Sequence, residues 1–120
     1  MKKIVIGGQI EKQEIERLIK KYQTQENQIT IKTDLDAALD LKSGQVDYYF
    51  GACNTGGGGA LAMVIALVGS EKAIALGMPG TTLSESQIID HINSGKIAFG
   101  FTSQDMDFII STVMNELNKK

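Results

Sequence analysis

Residues 45–68 read QVDYYFGACNTGGGGALAMVIALV. Gln45 to Phe50 carries Val46, Tyr48, Tyr49 and Phe50, the residue types that suit a pleated strand. Gly51 to Gly59 is a glycine-rich turn. Ala60 to Val68 is an unbroken apolar run that reads as a helix. The stretch is therefore a strand, a turn and a helix in succession, which is half of a βαβ crossover.

The same alternation extends in both directions. Upstream, Lys3 to Ile6 predicts a short buried strand ending at Gly7-Gly8. Glu11 to about Gln23 predicts a helix, because Ile15, Leu18, Ile19 and Tyr22 recur at helical spacing. Gln28 to Lys32 predicts a second strand, and Thr33-Asp34 supplies a cap for a short helix over Asp36 to Ser43. Downstream, Lys72 to Leu76 predicts a fourth strand followed by the turn Gly77-Met78-Pro79-Gly80. Thr82-Leu83-Ser84-Glu85 has the capping-box pattern and opens a helix with Ile88, Ile89 and Ile92 inward. Lys96 to Phe101 predicts a fifth strand, and Asp105 to Leu117 a final helix with Met106, Ile109, Ile110, Val113 and Leu117 at helical spacing.

Strict alternation of strand and helix means a parallel sheet, because parallel strands need crossovers. The expected fold is α/β: one three-layer domain over residues 1–120, with a five-stranded parallel sheet and helices on both faces. The prior for five strands is the flavodoxin-like order 2-1-3-4-5. A chain of 120 residues and 13.0 kDa supports one core and is too short for two.

Composition removes several function classes. Twelve basic residues face fourteen acidic ones and the pI is about 5.3, with no basic stripe, which argues against nucleic acid. Cys53 is the single cysteine, so no internal disulfide framework exists, and a reducing compartment fits. Met1-Lys2-Lys3 is followed by only a short apolar run, and Ala60 to Val68 is about half of a membrane span, so a cytoplasmic protein with no membrane insertion is expected. Single cysteine and histidine residues on different elements make no metal site, and no cofactor is expected.

Thirteen glycines in 120 residues is above the usual ~7%. Gly44, Gly69 and Gly95 each fall after a helix, where a left-handed residue ends it. The others fall at or beyond the carboxyl ends of strands, which is the ligand-binding edge of an open parallel sheet. Caps alone do not require four consecutive glycines. Amides at the start of a helix, reinforced by its dipole, favour a phosphate or carboxylate. The expected binding residues are Gly7, Gly8, Gln9, Asn54, Thr55, Gly56, Gly57, Gly58, Gly59, Thr81 and Thr102. The Walker pattern and the dinucleotide fingerprint both fail here. Cys53 lies close to a helix start, where a thiol pKa falls, which makes it the candidate nucleophile. His91, on the fourth helix, is expected on the surface and away from that loop. Asp105 and Asp107 are expected to complement the last helix dipole, and Asp34 to cap a helix.

Between Asp47 and Glu71 no residue is charged, so the helix over 60–68 has no polar stripe. A crossover helix of this kind is expected to be covered by a second copy of the chain, with Val64 in the interface.

The start Lys3-Ile4-Val5-Ile6-Gly7-Gly8-Gln9, the block Gly51 to Ala62 and Gly77-Met78-Pro79-Gly80 resemble the YhfU-like family of small bacterial proteins, along essentially the whole chain. That family is of unknown function. The resemblance implies a bacterial cytoplasmic protein linked to uptake of carbohydrate or small metabolites, and it transfers no catalytic residue. Together these readings favour a protein that binds a small anionic metabolite, phosphorylated or carboxylated, at the loop after strand three. The alternatives are a Cys53-dependent enzyme or phosphocarrier, and an accessory subunit of a transport or metabolic complex.

Overall fold

The computed structural model describes residues 1–55 and 57–120. The chain runs β1 (Lys3–Gly8), α1 (Lys12–Tyr22), β2 (Gln28–Ile31), α2 (Asp34–Ser43), β3 (Tyr48–Ala52), α3 (Gly57–Val68), β4 (Ala73–Ala75), β5 (Gly77–Met78), β6 (Thr81–Thr82), α4 (Glu85–Asn93), β7 (Ala98–Phe101) and α5 (Met106–Leu117). A five-stranded sheet has the order β2-β1-β3-β7-β4. Every pairing within it is parallel.

The expected order 2-1-3-4-5 is therefore corrected. The last strand of the sheet, β7, lies between β3 and β4, and β4 lies at the edge. Burial accounts for the exchange. All four residues of β7 are buried, as suits a strand paired on both sides, whereas β4 has three residues and only Ala73 is buried. Both segments are short and apolar, so hydropathy alone does not rank them.

Side-chain alternation divides the core into two layers. Ile4, Ile6, Phe50, Phe99 and Phe101 point to one face and pack under α1, α4 and α5. Val5, Tyr49, Ala73 and Ala98 point to the other face and pack under α2 and α3. Phe50 and Phe99 meet edge to face with centroids 5.5 Å apart.

Several boundaries differ from the sequence reading, each for a local reason. Thr33 caps α2, accepting the Asp36 amide at 3.2 Å, so that Asp34 is the first helical residue. The capping box of α4 is formed by Ser84 and Gln87 rather than by Thr82 and Glu85. Thr82 instead belongs to a two-stranded hairpin, β5–β6, and its hydroxyl donates to Asp105 at 2.5 Å. The hairpin turns at Pro79-Gly80. Gly80 has φ of 76°, which suits a type II turn with proline before it. Gly44 and Gly95 also have positive φ, as helix-ending residues do, whereas Gly69 combines φ of 97° with ψ of 152°, outside the left-handed helical region.

β3 reaches Ala52, and α3 starts at Gly57, three residues before the first alanine. α3 is not buried on both sides within the chain. Leu61 and Val64 are fully packed against the sheet, while Met63 and Ile65 are 43% and 40% exposed. Val64 thus belongs to the core, and the exposed face of α3 carries Ala62, Met63, Ile65 and Ala66. Among the described residues, no helix is long and apolar enough to cross a membrane.

Candidate functional site

β3 delivers Cys53 to the carboxyl edge of the sheet. The ladder continues one residue past the strands, since the Cys53 amide donates to the Phe101 carbonyl at 3.1 Å. With Ala52 opposite Phe101, Cys53 stands beside Thr102. In β3, Tyr49 faces α2 and α3 while Phe50 and Ala52 face the other layer. In β7, Ala98 faces α2 and α3 while Phe99 and Phe101 do not. The period of two then turns both Cys53 and Thr102 toward α3.

The Cys53 side chain is fully buried. Its sulfur lies 3.3 Å from the Thr55 hydroxyl. A Cβ built on Gly59 would stand 3.0 Å from that sulfur and 3.1 Å from the Thr55 hydroxyl, so glycine lets the first turn of α3 close over the thiol. Burial pushes the thiol pKa up. The Thr55 hydroxyl and the backbone amides of Thr55, Ala60 and Gly59 favour the thiolate, and they win: the pKa lies below its ordinary value of 9.0.

Thr102 is 6% exposed, and its hydroxyl has no hydrogen-bond partner among the described residues. A buried hydroxyl left so costs about 1–3 kcal/mol, which makes it the one polar atom here that the fold does not account for. At the rim, Asn54, Thr55 and Gly58 are exposed, and a Cβ on Gly58 would meet nothing within 4 Å. Gly57 and Gly58 open α3, so their amides have no intrahelical acceptor. Gly56 lies outside the described residues.

Other expected binding residues are used differently. Gly7 accommodates the ring of Tyr49: a Cβ there would lie 2.7 Å from the ring and 2.8 Å from the Ala37 methyl. Gly8, with φ of 73°, approaches the Ala52 backbone closely. Gln9 is exposed, and its amide donates to the Ala52 carbonyl at 2.9 Å, which draws the end of β1 across β3. Thr81 is exposed in the hairpin, which Thr82 and Gln104 tie to the start of α5 through Asp105 and the Met78 carbonyl. The structure therefore brings Cys53, Thr55 and Gly59 together, sets Thr102 next to Cys53 in the ladder, and leaves Thr81 on the α5 side. His91, in the last turn of α4, is half-buried rather than exposed.

Tyr49 is the residue that sequence reasoning passed over. Its hydroxyl accepts the Gly8 amide at 3.0 Å and stands 2.6 Å from an Asp34 carboxylate oxygen and 2.7 Å from the Ala60 carbonyl. One phenol thus ties β1, α2 and the first turn of α3 to each other. Burial and the Asp34 carboxylate both push the Tyr49 pKa up, so the phenol stays protonated. Asp34, expected as a cap, serves as the tyrosine's partner. The available signal was a pair of glycines, Gly7 and Gly51, flanking a strand tyrosine: each leaves room for a ring laid across the sheet.

The chain is thus a small α/β protein in which the glycine-rich turn after β3 opens α3 over a buried cysteine. A family model described as "Protein of unknown function DUF2620" matches residues 2–117, and the chain belongs to that family. It is 37% identical over 117 residues to the uncharacterized protein YhfU of Escherichia coli K12, which covers 98% of this chain and 99% of that one. The YhfU proteins of Escherichia coli O6:H1 and Shigella flexneri match to the same extent. The YhfU-like resemblance thus holds along nearly the whole chain. No solved structure matches it.

Proposed function

We propose that this protein binds a small anionic metabolite, phosphorylated or carboxylated, at the amino end of α3. The observation that carries this reading is the buried Thr102 hydroxyl, without a partner among the described residues, next in the ladder to Cys53, over which a glycine-rich helix start closes. The first-turn amides and the helix dipole favour an anion. Asn54 and Thr55 add polar groups at the rim. The protein acts in this reading as one unit over residues 1–120, in the cytoplasm, where a lone cysteine stays reduced. A thermal-shift screen against small carboxylates and phosphates tests it. A ligand at a hundredfold excess over its Kd stabilises by about 2.7 kcal/mol. A Tm rise of several degrees with at least one compound is expected, and a screen in which none raises Tm refutes the proposal.

A second reading, Cys53 as the nucleophile of an enzyme or phosphocarrier, is favoured by the lowered thiol pKa. Cys53→Ser separates the two: a binder keeps its thermal shift, a nucleophile loses turnover.

We also place a second copy of the chain on the outer face of α2 and α3. Leu35, Leu39, Met63 and Ile65 are each 40% to 46% exposed there, on two helices that pack side by side, and α3 carries no charge. A two-fold axis through such a patch covers it with its own copy. Docking on a transport or metabolic partner is the rival occupant.

A further inference from the structure

The geometry points to a singly charged carboxylate, rather than a phosphate monoester, as the ligand of the α3 cradle; this deepens the anion-binding reading and rests on it. Among the described residues, the cradle offers dipoles and hydroxyls and no cation. No residue between Asp47 and Glu71 is charged. The lysines nearest the same sheet edge lie on the β2 side and are committed. Lys12 donates to the Lys32 carbonyl at 2.8 Å, and Lys32 pairs with Asp40 at 2.5 Å. β2 stands two strand steps from Cys53, which continues β3, and three from Thr102, which continues β7, each step being about 4.8 Å. The ionisable groups linked to the cradle are acids: Cys53 lies at its floor, and Asp34 reaches the Ala60 carbonyl through the Tyr49 hydroxyl. On the far side, Asp105 holds the hairpin and is acidic as well.

A helix start is equivalent to about half a positive charge. It balances a monoanion far better than a dianion, and a dianion feels twice the repulsion from the surrounding carboxylates. The donors fit the same conclusion. A carboxylate with one oxygen on the Thr102 hydroxyl and the other on the amides of Gly57 and Gly58 satisfies the buried hydroxyl and both first-turn amides. A phosphate monoester would bring a third oxygen and a second charge, with no guanidinium or ammonium to meet them.

The test is an amide-resolved NMR titration of the full chain with two probes, acetate and methyl phosphate, at about pH 8, where a phosphate monoester is a dianion. Acetate is expected to give saturable shifts at Thr55, Gly58, Ala60 and Thr102, with methyl phosphate at least about tenfold weaker at the same amides. Equal or tighter binding of methyl phosphate there overturns the carboxylate inference and leaves the anion site standing. No saturable shift at these amides with either probe overturns both.

Discussion

Replacing Thr102 by valine isolates the hydroxyl on which the functional reading turns. The two side chains have nearly the same shape, so the substitution removes one oxygen and leaves the packing in place. Thr102 is 6% exposed and its hydroxyl meets no partner among the described residues. Burying such a hydroxyl costs about 1–3 kcal/mol. Removing it is therefore expected to stabilise the ligand-free protein by about 1–2 kcal/mol, which at this chain length is roughly 4–8 °C in Tm. The same change takes one donor from the ligand. A hydrogen bond to a charged group contributes about 1.5–3 kcal/mol, so acetate affinity should fall by about 10- to 100-fold. The assay is denaturant unfolding of both proteins, followed by acetate titration of each. A gain in stability joined to a loss of binding is the signature of a group held in an unfavourable state for function. A valine variant less stable than the parent by more than about 0.5 kcal/mol refutes the reasoning, because the hydroxyl would then have a partner in solution. Unchanged acetate affinity refutes its link to the ligand.

Other perturbations test the surrounding parts. The lowered Cys53 pKa means that the native state releases the thiol proton before the unfolded chain does. Stability relative to Cys53→Ala should therefore rise with pH from the native thiol pKa up to about 9, and below that window the difference should level off at a constant packing offset; pH-dependent unfolding of the two proteins checks it. Gly58→Ala places a methyl in open space and should stabilise by up to about 1 kcal/mol as a better helix former, whereas Gly59→Ala presses on the Cys53 sulfur, should lose that gain, and should raise the thiol pKa measured by alkylation rate. Gly7→Ala drives a methyl into the Tyr49 ring and should destabilise by about 1–3 kcal/mol in denaturant unfolding. Ile65→Asp should stay folded and lower the mass in solution to that of one chain, while Val64→Asp, with the side chain fully buried, should unfold the protein; light scattering and circular dichroism together read both.

Much of the architecture was legible because it is written in local periodicity. The helical spacing of Ile15, Leu18, Ile19 and Tyr22 predicted α1, and the glycines after α2, α3 and α4 have the positive φ that their positions required. The exchange of β4 and β7 was not legible, because strand order depends on how helices compete for the two faces, and KAIAL and KIAFGF are both short apolar runs led by a lysine. The hairpin at Gly77 to Thr82 was missed because two-residue strands leave no alternation to read. The start of α3 was placed late because glycine disfavours helices, and only the contact between Gly59 and the Cys53 sulfur explains why glycine is tolerated there. At the site, the pairing of Cys53 with the start of α3 was visible along the chain. Its pairing with Thr102 depends on β7 lying next to β3, and Tyr49's role depends on a ring crossing two glycines in three dimensions.

Native mass spectrometry of the purified 120-residue chain tests the central claim most directly. An anionic ligand seated on Thr102 and the α3 amides should appear as a small-molecule adduct, carried from the cell or taken up from a metabolite extract, and Thr102→Val should lose it. Parent protein that remains at bare polypeptide mass after incubation with the extract would contradict the account.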